Sequence, residues 1–147
     1  MIIRQLQQSD KKRWISFFQS LSEDTIENRY HHLVKNKDID IIKGYWNYLI
    51  HDSISIIIEV DETVIGCAEL YINTKNDGAE IAITIADKWQ DAGMGNLLMC
   101  YMEVLINCYY DIKSITLNIL PTNTRMKKLA EKHRFKYHKD YVWIKEI

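Results

Sequence analysis

Apolar residues recur along the chain with two different spacings, which separate helical segments from extended ones. The first six residues predict a short strand, and three helices are predicted to follow it. Ser9 and Ser22 are suitable N-caps for the first two helices, and Asp38 begins the third. We expect these helices to reach residues 21, 33 and 49, respectively. The apolar stripe of the first helix comprises Trp14, Phe17, Phe18 and Leu21.

Isoleucine-rich runs with a period of two replace the helical spacing from residue 54 onward. Residues 54–60 and 64–72 predict an antiparallel hairpin around the turn 61–63, and residues 79–85 predict the next strand. The remaining pattern predicts a helix over 94–109, a strand over 114–120 ended by Pro121, a helix over 123–133, and one bent strand or a pair over 135–147. This order predicts an α/β (α+β) domain with a mixed sheet, antiparallel in the middle and parallel around the fourth strand.

The composition is that of an ordinary globular domain. The 147 residues are 47% hydrophobic and 27% charged, and the formal net charge is −1. A single domain over residues 1–147 is therefore expected. The balanced charge disfavours nucleic acid or an anionic membrane as the main partner. The apolar runs are far shorter than the roughly 20 residues of a spanning helix, and no signal-peptide pattern begins the chain, so a cytoplasmic protein is expected.

The cysteines and histidines do not form a metal or disulfide pattern. Cys67, Cys100 and Cys108 are odd in number and form no C-x-x-C pair, which favours buried, reduced thiols. The adjacent pair His31 and His32 is expected to point in two directions from a helix and to be solvated. No metal is therefore expected. The tryptophans, Trp14, Trp46, Trp89 and Trp143, are expected to pack in the core or at its rim.

The segment from Ile81 to Asn96 is the one most suggestive of chemistry. A buried strand leads into a loop with Gly93 and Gly95, and a long helix follows. The free amides and the dipole of a helix N-terminus bind anions, and glycine lets a ligand approach the backbone. The segment lacks the Gly-Lys-Ser/Thr of a P-loop and one glycine of the dinucleotide fingerprint. A phosphate site and an ordinary helix start with turn glycines both remain open on these residues alone.

Three stretches together resemble the GNAT superfamily of acyl-CoA-dependent N-acyltransferases. Residues 90–95, Gln-Asp-Ala-Gly-Met-Gly, resemble its Q/R-x-x-G-x-G/A motif. Residues 117–123 resemble its fifth strand and the Asn that opens the next helix, and residues 129–135 resemble its l-y-e-k-x-G-F ending. The resemblance implies the GNAT fold, a mixed and mostly antiparallel sheet of six or seven strands flanked by helices.

A narrower resemblance connects two other stretches to bacterial protein-lysine acetyltransferases. Residues 21–30 are similar to their L-S-x-E-T-x-Y-x-R-F stretch, and Ala79-Glu80-Ile81-Ala82 followed by Trp89-Gln90 is similar to their A-E-F-A…W-Q. This resemblance implies that Arg29 and Tyr30 line the acceptor side.

The resemblance implies acetyl-CoA as co-substrate and assigns residues to it. The backbone of the fourth strand, at Ile83, Thr84 and Ile85, would bind the pantetheine amides, and Asn123 would lie near the pantetheine or the sulfur. Lys127, Lys128 and Lys132 are either contacts of the 3′-phosphate or a solvated face. The amides expected to hold the pyrophosphate are those of Gln90, Asp91, Ala92, Gly93, Met94, Gly95 and Asn96.

Acetylation of an amine needs a proton acceptor, because an alkyl ammonium has a pKa of about 10.4. Glu80, at the start of the strand expected to hold the cofactor, is our candidate for the base, and Glu69 is the alternative. The Tyr that many relatives use as the acid is replaced by Ala130, and Arg134 replaces the usual Gly. Tyr137 is a substitute candidate for the acid.

Two classes of function follow from this interpretation. The first is an N-acetyltransferase that transfers an acetyl group from acetyl-CoA to a primary amine of a protein lysine, a peptide N-terminus or a small molecule. The second is a non-catalytic acyl-CoA-binding sensor or regulatory module, which the missing Tyr favours. A nucleotide-binding α/β domain is a weaker third interpretation. A homodimer is compatible with the superfamily.

Overall fold

The computed structural model describes residues 1–32 and 38–147. A seven-stranded sheet in the order β1-β2-β3-β4-β5-β7-β6 is antiparallel throughout except where β4 and β5 run parallel. The predicted mixed sheet of the GNAT fold is thus confirmed, and the last segment is a pair of strands. The strands are β1 (Ile2–Gln5), β2 (Ile54–Val60), β3 (Thr63–Asn73), β4 (Gly78–Ile85), β5 (Ser114–Asn118), β6 (Lys136–Lys139) and β7 (Val142–Glu146). The helices are α1 (Lys11–Ser20), α2 (Glu23–Tyr30), α3 (Ile39–Asp52), α4 (Met94–Tyr109) and α5 (Thr124–Lys132).

The helix starts follow the predicted caps with one exception. Ser22 accepts a hydrogen bond from the Thr25 amide at 3.2 Å, and Asp38 caps α3. Ser9 is not a cap, because it lies inside a 3-10 turn over Gln8–Asp10 and α1 begins after it. The Asp10 carboxylate fixes this turn, since it accepts hydrogen bonds from the Gln7 amide and from Arg4, both at 2.8 Å. Helix α2 ends at Tyr30, and its predicted end at residue 33 lies outside the described residues.

Each face of the sheet carries its own core. Helices α1, α2 and α3 cover one face, where Trp14 and Trp46 are buried with ring centroids 5.7 Å apart. Helices α4 and α5 contribute to the core of the other face, against which Trp143 packs, whereas Trp89 contacts both cores. The prediction of core or rim packing for the tryptophans is confirmed. No helix in the described part of the chain is long and apolar enough to cross a membrane.

The prediction of buried thiols is correct for one cysteine and wrong for two. Cys67 on β3 is fully buried, whereas Cys100 and Cys108 on α4 are exposed. The buried face of α4 is narrow, and both cysteines lie outside it on the helix. That face consists of Leu98, Met99, Met102 and Ile106.

Strands β4 and β5 separate shortly after they meet. Their parallel pairing covers only Gly78, Ala79 and Glu80 of β4, which lie opposite residues 114–116. Beyond Glu80, β4 continues to Ile85 while remaining paired to β3 along its other edge. Within the described residues, one edge of β4 beyond Glu80 therefore carries backbone groups without a strand partner, and a gap opens there in the sheet.

Candidate active site

The loop between β4 and α4 places a helix N-terminus beside the open edge of β4. Gly93 is the N-cap of α4 and has a φ of 83°, a left-handed conformation that glycine adopts without a steric penalty. The first intrahelical hydrogen bond runs from the Leu97 amide to the Gly93 carbonyl at 3.0 Å. The amides of Met94, Gly95 and Asn96 precede this bond, so they form the free N-terminal end of the helix, where anions are stabilised.

A cavity of about 490 Å³ lies at this helix end, and we call it the loop cavity. It is bounded by the end of β4, the glycine loop, α2 and the first turns of α5. Of the residues predicted to bind the cofactor, Ala92 alone does not line it. Those that do are Ile83, Thr84, Ile85, Gln90, Asp91, Gly93, Met94, Gly95, Asn96 and Asn123.

Helix α2 also borders the loop cavity, which the motifs of the loop did not indicate. The side-chain Nε2 atom of Gln90 donates hydrogen bonds to the Ile85 carbonyl and to the Thr25 hydroxyl, each at 3.0 Å. The Ser22 amide donates to Asp87 at 3.1 Å. Burial raises the pKa of Asp87, but hydrogen bonds from Ser22 and Thr25 outweigh that effect and lower it. These contacts fix α2 to the loop and bring Thr25 and Asn28 into the cavity wall.

The start of α5 closes the loop cavity on the opposite side. The Asn123 side chain caps α5 by accepting a hydrogen bond from the Met126 amide at 3.2 Å. Arg125 forms an exposed ion pair with Asp91 at 2.9 Å, and such pairs contribute little to stability. Lys128 and Lys132 line the cavity, whereas Lys127 does not. These cations give this rim a positive charge that suits a phosphate-bearing ligand.

Glu80 lies where two smaller cavities meet. The gap cavity, of about 250 Å³, lies between β4 and β5 and includes Ile81, Ile83 and Leu117. The tyrosine cavity, of about 280 Å³, lies under α2 and α3 and includes Tyr71, which is opposite Glu80 in the sheet register. Glu80 lines both. In the described part of the chain its half-buried carboxylate has no hydrogen-bond or ion-pair partner, so it is available to a ligand.

Glu69, the alternative candidate for the base, already has two partners on one of its carboxylate oxygens. Its buried carboxylate forms an ion pair with Arg29 of α2 and accepts a hydrogen bond from the Tyr71 hydroxyl. Burial alone would lower the pKa of Arg29, but the charge and hydrogen bond of Glu69, together with the neighbouring tyrosines, outweigh burial and raise it. Burial and the same carboxylate raise the pKa of Tyr71. Arg29 and Tyr71 thus occupy the Glu69 carboxylate, whereas Glu80 has no such partner among the described residues, so Glu80 is the more accessible of the two candidates.

The position of the missing Tyr and the substitute candidate Tyr137 both lie away from the three cavities. Ala130 is completely buried and has no proton to donate. Tyr137 lies on the edge strand β6, which β5 and β7 separate from β4. Its ring packs edge-on against Trp143 at 5.8 Å, and it lines none of the cavities described above. The structure therefore gives no support to Tyr137 as a proton donor in place of the missing Tyr. Arg134 has a φ of 66°, the conformation that favours the family's Gly at that position.

The histidine pair lies at the C-terminal end of α2 and not on a helix face, where the sequence predicts it. His31 terminates α2 in a left-handed conformation, and His32 lies beyond it, so neither lies within the helix. The His32 Nε2 atom and the Tyr45 hydroxyl form a hydrogen bond of 2.7 Å. Among residues 1–32 and 38–147 we find no group of three or more His, Cys, Asp or Glu side chains that could hold a metal ion.

Sequence comparison identifies one family over most of the chain. The model of the acetyltransferase (GNAT) family matches residues 14–135. No curated protein matches the chain in sequence.

Solved structures show the same fold at low sequence identity. The GNAT domain of S. lividans PAT has a TM-score of 0.83 at 17% identity, covering 99% of this chain and 89% of that one. Ribosomal-protein-alanine N-acetyltransferase from Brucella melitensis has a TM-score of 0.75 at 14% identity, covering 100% of both chains. A variant of the spermidine N-acetyltransferase SpeG from Vibrio cholerae has a TM-score of 0.69 at 19% identity, covering 99% of this chain and 92% of that one.

Proposed function

Because the chain belongs to the GNAT acetyltransferase family, we propose that it transfers the acetyl group of acetyl-CoA to a primary amine. The observation that carries the proposal is that three cavities adjoin one another in a row. Ile83 and Asn123 line both the loop cavity and the gap cavity, and Glu80 lines both the gap cavity and the tyrosine cavity. A proton acceptor therefore lies between a phosphate-compatible cavity and a second cavity open to an amine.

The residues of the loop cavity fit acetyl-CoA. A methyl group at Gly93 would meet no atom within 4 Å, so the backbone there is open to a ligand. The amides of residues 90–96 would hold the pyrophosphate, and those of Met94, Gly95 and Asn96 are the free N-terminal amides of α4. The open edge of β4 at Ile83, Thr84 and Ile85 offers backbone groups to the pantetheine amides, as an added strand would. When bound, acetyl-CoA supplies the acetyl group as an activated thioester.

Glu80 removes the proton that blocks attack. An alkyl ammonium with a pKa of about 10.4 is protonated at neutral pH, and its nitrogen has no free electron pair. Glu80 accepts this proton directly or through one water molecule. Backbone amides near Ile83 or Ile85 stabilise the oxygen on which negative charge develops. A thiol of pKa about 8.5 leaves as a thiolate without a proton donor, which is consistent with Ala130 in place of the Tyr.

The known acceptors of the structural neighbours differ, so the fold does not determine the acceptor here. Those neighbours include enzymes named for a ribosomal-protein alanine and for spermidine. A small-molecule or protein amine is the acceptor that we propose, in the cytoplasm and without a metal. Ala130 supports a second candidate, a module that binds acyl-CoA without transferring the acyl group.

The Glu80→Gln variant tests the proposal. General-base catalysis contributes about 100- to 10,000-fold, so we expect a loss of at least about 100-fold in kcat for a panel of lysine peptides, alanine peptides and spermidine. Acetyl-CoA affinity should not change. Glu146→Gln, on the exposed end of β7, is the matched control. Unchanged turnover in Glu80→Gln would remove Glu80 from the mechanism, and acetyl-CoA binding without acetylation of any amine would favour the non-catalytic module.

A further inference from the structure

The tyrosine cavity has walls of aromatic rings contributed by three separate elements. Tyr30 ends α2, Tyr45 and Tyr48 lie on α3, and Tyr71 lies on β3. The rings form two stacked pairs, Tyr30 with Tyr45 at 4.5 Å and Tyr48 with Tyr71 at 5.7 Å between centroids. The cavity thus presents flat, electron-rich faces next to the Glu80 carboxylate.

Several polar groups of this cavity already have partners within the protein. The Tyr71 hydroxyl donates to Glu69, and the Tyr45 hydroxyl is hydrogen bonded to His32 at 2.7 Å. Glu69 itself is held by Arg29. These engaged groups offer little to replace the hydrogen bonds to water that an amide group of a ligand would lose on entering beside them. A ligand with an apolar stem loses nothing of this kind, because ring faces receive methylene groups well.

The charges of the cavity favour one cation. Arg29 and Glu69 neutralise each other, which leaves the Glu80 charge without a partner among the described residues. An ammonium group near Glu80 is attracted by that charge and by the tyrosine faces around it. The Arg29 guanidinium already lies 4.7 Å from the centroid of the Tyr30 ring, so a ring of this cluster does hold a cation in the structure.

Resting on the proposed function, we propose that the tyrosine cavity selects acceptors whose ammonium group ends an unbranched alkyl chain, and that Tyr48 is a specificity-determining residue. The alkyl stem packs on the rings of Tyr48 and Tyr71, and the amine reaches Glu80. An α-amine is a poor acceptor in this site, because a branched carbon and an amide group lie within two bonds of its nitrogen. A lysine side chain and a free alkyl diamine share the selected chemistry.

Two isomeric substrates test the selection directly. Nα-acetyl-lysine methylamide offers only the amine at the end of the side chain, whereas Nε-acetyl-lysine methylamide offers only the α-amine of the same molecule. We expect kcat/KM to be at least tenfold higher for the first isomer. 1,5-Diaminopentane, measured beside them, distinguishes a free diamine from a side chain attached to a peptide backbone. Equal values for the two isomers, or a preference for the α-amine, would overturn the inference.

Substitution of Tyr48 tests the contribution of the ring. Tyr48 is 57% exposed, so Tyr48→Leu should leave the fold intact. We expect KM for Nα-acetyl-lysine methylamide to rise threefold to tenfold, with little change in kcat and none in KM for acetyl-CoA. Tyr48→Phe should retain the wild-type KM, because it keeps the ring. Tyr109→Leu is the control. Tyr109 lies at the far end of α4, is 76% exposed and lines none of the three cavities.

The outcomes separate this inference from the function on which it rests. A Tyr48→Leu enzyme that matches Tyr109→Leu in amine KM contradicts the role of Tyr48, while the acetyltransferase itself stands. If the wild-type protein binds acetyl-CoA but acetylates neither isomer nor the diamine, then the proposed function fails, and this inference fails with it.

Discussion

Arg29 of α2, which is partly buried, and the buried Glu69 of β3 form an ion pair that fastens the second helix to the sheet next to Glu80. The Tyr71 hydroxyl donates a second hydrogen bond to the same carboxylate. Arg29 also lines the loop, gap and tyrosine cavities. The pair therefore fixes Arg29 in the wall that the three cavities share. Among the described residues, the Glu80 carboxylate beside it has no hydrogen-bond or ion-pair partner.

Breaking this pair should destabilise the protein strongly. Glu69→Ala leaves the Arg29 charge buried without a partner, which costs about 3–5 kcal/mol. The double variant Arg29→Met, Glu69→Leu removes both charges and should recover most of that loss. Urea unfolding measures the three free energies. Lys113→Ala, which breaks the exposed pair of Lys113 with Asp77, is the control and should cost less than about 1 kcal/mol. A Glu69→Ala variant as stable as this control would contradict the account.

Gly93 and Gly44 should respond to alanine in opposite directions. Gly93 has a φ of 83°, and a side chain in a left-handed conformation costs about 1–2 kcal/mol. Gly44 lies inside α3, and an alanine there would meet no atom within 4 Å, so Gly44→Ala should stabilise the protein by about 0.5–1 kcal/mol. Thermal unfolding distinguishes the two. Equal stability changes for both variants would count against the left-handed start of α4. Gly93→Ala should also weaken acetyl-CoA binding.

The Asp10 carboxylate should make stability depend on acidic pH. A hydrogen bond from Arg4 is the main reason that the pKa of Asp10 lies below its ordinary value. Its contribution is therefore complete above the ordinary aspartate pKa of about 3.9 and is lost as pH falls through the lower pKa of the folded state. Asp10→Asn should reduce stability at pH 7 and flatten the decline below pH 4. Urea unfolding from pH 7 to pH 2.5 measures this, with the exposed Asp111→Asn expected to follow the wild type.

The cysteines should differ in reactivity in the folded protein. Cys100 and Cys108 are exposed, whereas burial raises the pKa of Cys67 and excludes reagents from it. A chromogenic disulfide reagent should titrate two thiols rapidly in buffer and the third only after unfolding. The Cys67→Ala variant should lose the slow thiol alone. Three rapidly reacting thiols in the native protein would contradict the packing of β3 against α1–α3.

The local pattern of apolar and polar residues was sufficient to predict the bounds of those elements whose own residues determine their structure. The bounds of β2 and of α4 were predicted to the residue, because their periods are unambiguous and glycine or polar turns flank them. Ser9 failed as a cap because Arg4, outside the helix, holds Asp10 and places the helix start one residue later. A contact of this kind has no signal in the local spacing.

The candidate site shows the same division. The glycine loop and the end of β4 are contiguous in sequence, so their residues could be predicted to border one cavity. Thr25 borders it as well, but only through a hydrogen bond to Gln90, which is 65 residues away. The tyrosine cavity combines side chains from α2, α3 and β3, and their individual positions look like ordinary helix and strand residues. This cavity could therefore be recognised only once the packing of the three elements was known.

Calorimetric titration of the purified protein with acetyl-CoA tests the central claim most directly. That claim is that the loop cavity, from the open edge of β4 to the start of α4, holds acetyl-CoA. We expect saturable binding at one site per chain. An absence of binding heat at millimolar acetyl-CoA, by a protein shown to be folded, would contradict it.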